Sequence, residues 1–158
     1  MKTWQGLYGM IWIVFIEFLL AMTTRVIDTP VLIWVHAALG AGIVALALNN
    51  LNNVRRSTIA GRVKRTAKST FRLSIVTAVL GVVLLFPEPL AWPVPVLNLS
   101  LFYLILFVHV VNAFAIITQA AAVAIAYDMW EDKEFAQETE PGTVPPNPAM
   151  QAATAKRA

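Results

Sequence analysis

The sequence contains no cysteine and only two histidines in 158 residues. Without cysteine the chain cannot form disulfides, hold an iron–sulfur cluster through thiolates or attach a c-type haem. Charged residues are also scarce, at 13% against about 25% in an average soluble domain. Hydrophobic residues make up 58% of the chain, and the mean hydropathy is +0.68. These values predict a single small integral membrane domain.

Motifs for nucleotide binding, zinc binding and serine or cysteine nucleophiles are also absent from the sequence. The isoelectric point near 9.5 would fit a nucleic-acid-binding protein. However, most basic residues lie in one segment between two apolar segments, where membrane topology explains them better. We therefore predict no nucleic-acid partner.

Four apolar segments are long enough, or nearly long enough, to cross a bilayer as helices. A spanning helix needs roughly 17–25 mostly apolar residues. We predict these helices at 6–22, 31–48, 71–86 and 99–127. The expected fold is all-α, an integral membrane four-helix bundle over residues 1–130 whose outer surface contacts the lipid bilayer. Residues 131–158 are polar and rich in proline, which predicts a disordered tail.

The basic residues set the predicted orientation. The segment 49–72 contains no acidic residue and seven of the twelve basic residues, namely Arg55, Arg56, Arg62, Lys64, Arg65, Lys68 and Arg72. The two other connections carry one basic residue between them, Arg25. Because basic loops stay in the cytoplasm, we expect both termini and the tail to be cytoplasmic.

Both histidines fall inside predicted helices, His36 in the second and His109 in the fourth. Ionisable side chains inside a membrane are functional candidates by default, and imidazole is a usual axial ligand of haem iron. At about 1.5 Å per residue, His36 lies roughly 9 Å and His109 roughly 15 Å from the outer ends of their helices. The pair predicts bis-histidine binding of a b-type haem in the outer half of the bundle. The alternative is that each histidine makes one interhelical hydrogen bond.

Small residues accompany the two histidines. Gly40 and Ala113 each lie four residues after a histidine, on the same helix face. Gly81 of the third helix falls at a similar depth. These residues would leave room for a flat macrocycle, although small residues also allow membrane helices to approach closely.

Three polar residues complete the predicted site. Glu17 lies near the depth of His36, and it could either hydrogen-bond a histidine or Asn112 or exchange protons beside a redox centre. Arg25 could pair with a haem propionate or serve as an ordinary interfacial arginine. Asn112, three residues after His109, could orient the imidazole or contact a ligand.

Three short segments resemble one four-helix half of the haem A synthases. They are residues 34–40 (WVHAALG), 79–82 (VLGV) and 107–113 (FVHVVNA). The resemblance covers roughly residues 6–130, and single-bundle members of this length occur in archaea, which implies a prokaryotic cell membrane. It implies that His36 and His109 are axial ligands and that the reaction oxidises a methyl group of haem O. Separate cofactor and substrate sites would then require a homodimer.

The sequence departs from this family at two positions. The family's catalytic half has a glutamate and an arginine where Ile33 and Ala37 stand here. Glu17 would have to replace that glutamate as the catalytic acid or base. Two other functions therefore stay open, a b-type cytochrome subunit passing electrons between quinol and a respiratory membrane complex, and a cofactor-free structural subunit of such a complex.

Overall fold

The computed structural model describes residues 3–24, 27, 29–95 and 98–139, without the side chains of 24 and 134–139. Its four helices are α1 (Thr3–Thr24), α2 (Pro30–Arg56), α3 (Gly61–Leu84) and α4 (Leu101–Thr139). Each helix is long and apolar enough to span a membrane. The prediction of an all-helical protein with four such helices is confirmed, whereas the orientation of the termini stays a prediction.

Contacts between neighbouring helices define the order of the bundle. The backbone of α2 approaches both α1 and α3 closely. Helix α4 meets α1 through Phe18 and Phe114, whose ring centroids are 5.2 Å apart. It meets α3 where Thr70 Oγ1 donates a hydrogen bond to Gln119 Oε1 over 3.2 Å. The helices therefore follow one another around the bundle, and α2 is diagonal to α4.

The centre of the bundle is an apolar cluster contributed by three helices. Its buried members are Met10, Val14, Ile43, Ala47, Ile116 and Ala120. Asn50 is a buried polar residue near this cluster, and it is only 3% exposed. Its Nδ2 donates a hydrogen bond to the Gly6 carbonyl over 3.0 Å. This hydrogen bond ties the end of α2 to the start of α1.

The connection between α2 and α3 is shorter than the sequence predicts. Helix α2 continues to Arg56 and α3 begins at Gly61, so most of the predicted basic loop is helical. Hydropathy marks only the apolar part of a helix, whereas lysine and arginine are themselves good helix formers. Helix α2 therefore continues eight residues beyond the predicted span 31–48, and α3 begins ten residues before the predicted span 71–86 and ends at Leu84.

Side chains satisfy the carbonyls at the end of α2. Lys64 Nζ donates to the carbonyls of Arg55 and Ser57, over 3.2 and 2.7 Å. Ser57 Oγ donates to the Val54 carbonyl over 2.7 Å. A cation at the carboxyl end of a helix also offsets the negative end of its dipole. The last turns of α2 are rich in asparagine and arginine. The contacts of Lys64 and Ser57 explain how α2 can end in so short a connection to α3.

The connection between α3 and α4 is a small hairpin. A 3-10 turn at Glu88–Leu90 leads into two short antiparallel strands, β1 (Pro93–Val94) and β2 (Leu99–Ser100). Asn98 in the turn has a φ of 50°, which asparagine adopts more readily than most residues. The hairpin delivers the chain to Leu101, where α4 begins.

The chain divides into two compact units after Tyr127, and the bundle belongs to the first. The described part of the second unit, residues 128–139, is helical. Helix α4 thus runs to Thr139, and the disorder expected over 131–158 stays a prediction. Residues 140–158 lie outside the described part of the chain.

Candidate functional site

A cavity of about 200 Å³ lies within the bundle and is bordered by side chains from all four helices. Five polar residues line it, namely Glu17, His36, Ser74, Thr77 and His109. The other lining residues are glycine, alanine and branched aliphatic residues. The cavity is therefore an apolar space that receives a small number of polar groups.

His36 reaches the cavity from the second turn of α2, which begins at Pro30. The carboxylate of Glu17 on α1 contacts Nδ1 of His36. Glu17 is only 5% exposed, so water does not compete strongly for this contact. Metal-binding histidines commonly use their second ring nitrogen in this way, which fixes the orientation of the ring. The contact leaves Nε2 of His36 as the nitrogen that could bind a metal ion.

His109 is held in a comparable way by α3. Its Nδ1 lies 3.0 Å from the Thr77 carbonyl oxygen. A helical carbonyl has two lone pairs and can accept this bond in addition to its own helical bond. With Nδ1 protonated and donating to the carbonyl, Nε2 of His109 is the unprotonated nitrogen. Both histidines therefore engage Nδ1 and leave Nε2 for a ligand.

Gly81 provides the space that His109 occupies beside α3. It lies four residues after Thr77, on the same helix face. A Cβ atom at Gly81 would lie 3.2 Å from Cε1 of His109, closer than ordinary van der Waals contact. The glycine therefore allows the imidazole to reach the backbone of α3.

The two imidazole rings lie close together although their helices are diagonal. Their centroids are 6.3 Å apart, and their planes make an angle of 62°. A ligating nitrogen lies about 2.0 Å from a metal ion and about 1.1 Å from its own ring centroid. Two imidazoles on opposite sides of one ion would therefore have centroids about 6.2 Å apart, by the same geometry. The observed separation is compatible with one shared ion and equally with an edge-to-face contact between the two rings.

Among the described residues, no group of three or more histidine, cysteine, aspartate or glutamate side chains could hold a metal ion. His36 and His109 both line the cavity, and they are the two imidazoles that it offers to a ligand. Two imidazoles are the full protein contribution to an iron whose other four ligands belong to a macrocycle.

The structure brings most of the predicted site residues together. Gly40, Gly81 and Ala113 border the same cavity as Glu17 and the two histidines. Gly40 has nothing within 4 Å of the position of a Cβ atom, so it borders open space. Asn112 is not among the residues that line the cavity. Arg25 lies outside the described residues.

Sequence reasoning missed the contribution of Thr77. Its carbonyl holds His109, and its buried hydroxyl has no hydrogen-bond partner among the described residues. Oε1 of Glu17 is likewise buried without a hydrogen-bond partner there. Buried polar atoms usually bind water or a ligand. The only sequence signal for this role of Thr77 was its four-residue spacing from Gly81. That spacing shows that the two residues share a face of α3, but it does not show which helix packs against that face.

Comparisons with known protein families, with curated protein sequences and with solved structures found no match to this chain.

Proposed function

We propose that the chain is a haem-binding membrane protein in which His36 and His109 are the axial ligands of one b-type haem. The observation that carries this proposal is the shared arrangement of the two rings. Each engages Nδ1 with a neighbouring helix, and their centroids are 6.3 Å apart. Structural histidines that merely tie helices together would not need to converge on one cavity.

The residues around the cavity fit the shape and chemistry of haem. Gly40, Gly81 and Ala113 keep side chains out of the space beside the histidines. Ile33, Val82 and Leu85 give the cavity an apolar border, and all three are also exposed at the surface of the chain. Such a lining supports a porphyrin, which is flat and largely apolar, better than it supports a hydrated ion.

Electron transfer is the activity that this ligand set supports best. Bound haem iron accepts and releases one electron at a time. When the same chain fills both axial positions, no position remains for oxygen, which favours electron transfer over oxygen chemistry. We therefore propose a b-type cytochrome of a prokaryotic cell membrane, receiving electrons from quinol and passing them to a respiratory complex. Here Glu17 and Thr77 are positioning residues that hold the ligand rings.

Oxidation of the haem O methyl group is the second candidate, favoured by the position of Glu17. A buried carboxylate oxygen without a hydrogen-bond partner at the cavity could accept or donate a proton there. In that function haem O would be the substrate, and a homodimer would be needed to supply a second haem. Conversion of haem O to haem A in cells that contain haem O would distinguish this enzyme from an electron carrier.

The haem content of the purified protein tests the proposal. We expect the chain made in haem-replete cells to carry haem, measured by its Soret absorbance and by the pyridine haemochrome assay. His36→Ala and His109→Ala should each lose most of this haem, and added imidazole should restore part of it. Asn112→Ala is the control, because Asn112 does not line the cavity. A folded wild-type protein without haem would exclude both haem functions and leave a structural subunit.

A further inference from the structure

Four basic side chains form a stripe along the first part of α3, which we call the basic stripe. They are Arg62, Arg65, Lys68 and Arg72. Spacings of three, three and four residues place them on one helix face. All four are exposed, and none forms an ion pair with a carboxylate in the described part of the chain. Lys64 differs, because its ammonium group already holds the end of α2.

The apolar part of α3 is too short to cross a bilayer by itself. The charge-free residues 73–84 span only about 18 Å at 1.5 Å per residue, whereas the hydrocarbon core is about 30 Å thick. Counted back from Leu84, about 30 Å of hydrocarbon corresponds to about 20 residues, so Arg65 would lie near the hydrocarbon boundary and Lys68 and Arg72 inside it. Long cationic side chains at this depth extend toward the phosphate groups of the lipids.

A groove of about 170 Å³ lies beside the basic stripe, between α3 and α4. It is lined by Val63 and Thr66 of α3 and by Ala122, Val123 and Ala126 of α4, together with Arg62. Arg62 thus belongs to both the stripe and the groove. The stripe and the groove together form a surface with cations at one end and the apolar groove at the other.

We propose that the basic stripe and this groove bind one anionic phospholipid. Its phosphate would contact Arg62 and Arg65, and an acyl chain would occupy the groove between α3 and α4. Charge complementarity supports the anionic headgroup, because the segment 49–72 contains no acidic residue. A soluble acidic partner would not need to contact the apolar groove. It would also not need cations as far along the membrane-spanning helix as Arg72. The proposal is independent of haem binding.

Lipid retention measured by native mass spectrometry tests this proposal. Protein in detergent is titrated with dioleoyl phosphatidylglycerol and, separately, with zwitterionic dioleoyl phosphatidylcholine. We expect at least tenfold greater retention of the anionic lipid. Arg62→Gln with Arg65→Gln should lower that retention by roughly 25-fold, since each interfacial cation contributes about fivefold.

Two further pairs of substitutions isolate the site. Arg55→Gln with Arg56→Gln removes the same charge from α2 and should change retention less than twofold. Ala122→Phe with Ala126→Phe fills the groove without changing charge and should also weaken retention. Circular dichroism checks that each variant is folded. If the protein with Arg62→Gln and Arg65→Gln does not fold, Lys68→Gln with Arg72→Gln is tested in its place.

Several results would overturn the proposal. Equal retention of the two lipids would remove the headgroup site, and an equal loss with the Arg55 and Arg56 pair would show only general charge attraction. Unchanged retention when the groove is filled would remove the acyl-chain contact. Complete displacement of the lipid by millimolar inorganic phosphate would show a simple anion site.

Discussion

The imidazole rings of His36 and His109 lie 6.3 Å apart, centroid to centroid, although their helices are diagonal in the bundle. The two remaining helices supply the groups that hold them. Glu17 of α1 contacts His36, and the Thr77 carbonyl of α3 contacts His109. Each of the four helices therefore contributes one group to the site. Two of these groups are imidazoles that could bind iron, and the other two position those imidazoles.

The first prediction concerns Gly81 and its matched control, Gly40. Gly81→Ala places a methyl group 3.2 Å from Cε1 of His109, so the ring must shift by a few tenths of an ångström. We expect haem affinity to fall roughly tenfold, as happens when a group that orients a metal ligand is disturbed. Gly40→Ala, with nothing within 4 Å, should leave haem affinity within about threefold of wild type.

Both alanine variants should leave the haem-free protein folded. Replacement of a mid-helix glycine by alanine favours the helix by about 0.5–1 kcal/mol. Haem titration and thermal unfolding of the haem-free variants therefore separate a ligand effect from a folding effect. Equal haem affinity in the two variants would contradict the proposed position of His109.

The second prediction concerns Glu17 as a positioning residue. Glu17→Gln keeps an oxygen that can accept a bond from His36, whereas Glu17→Leu removes it. We expect Glu17→Leu to lower haem affinity 10–100-fold, the usual effect of losing such a partner, and Glu17→Gln to lower it less. Loss of the carboxylate also makes His36 a weaker electron donor, so the haem midpoint potential of Glu17→Gln should rise.

Redox titration of the reduced-minus-oxidised spectrum measures that potential. Asn112→Ala is again the control and should leave the potential unchanged. A potential unaffected by Glu17→Gln would show that Glu17 does not act through His36. Complete loss of haem O conversion with normal haem binding would instead support the role of Glu17 as a catalytic acid or base.

The third prediction separates stability from haem binding. Asn50→Ala removes the bond to the Gly6 carbonyl at a position that is 3% exposed. We expect it to destabilise the fold by about 1 kcal/mol. The spectrum of bound haem should not change, because Asn50 does not line the histidine cavity. The exposed Asn52→Ala is the matched control in thermal unfolding, and equal losses in the two variants would contradict this assignment.

The fourth prediction compares two lysines of α3. Lys64→Gln removes a cation that holds two carbonyls at the end of α2, and it should lower stability by roughly 0.3–1 kcal/mol. Lys68→Gln removes an exposed lysine without such contacts and should have little effect on unfolding in detergent. If both variants unfold at the same temperature as the wild type, Lys64 does not stabilise the α2–α3 connection.

The sequence was sufficient to predict the four helices, because each contains a long apolar run. It also indicated the residues that now share a cavity, since depth along a helix follows from residue count. The carboxyl end of α2 and the amino end of α3 lie beyond the predicted spans, because hydropathy does not detect helical turns rich in arginine and lysine.

The contact between Thr77 and His109 was beyond the reach of the sequence for a different reason. Helical spacing shows which residues of α3 share a face, but only packing decides that this face meets α4. The same limit applies to Asn112, which shares a face with His109 in sequence terms and yet does not line the cavity.

Binding of one haem iron by His36 and His109 together would determine the spin state of the ferric iron. Electron paramagnetic resonance of the oxidised, haem-loaded protein measures that spin state. Two imidazole ligands predict a low-spin ferric signal, which should become high-spin in both His36→Ala and His109→Ala and return to low-spin with added imidazole. A wild-type protein whose haem is high-spin, or whose low-spin signal survives either substitution, would contradict binding by both histidines.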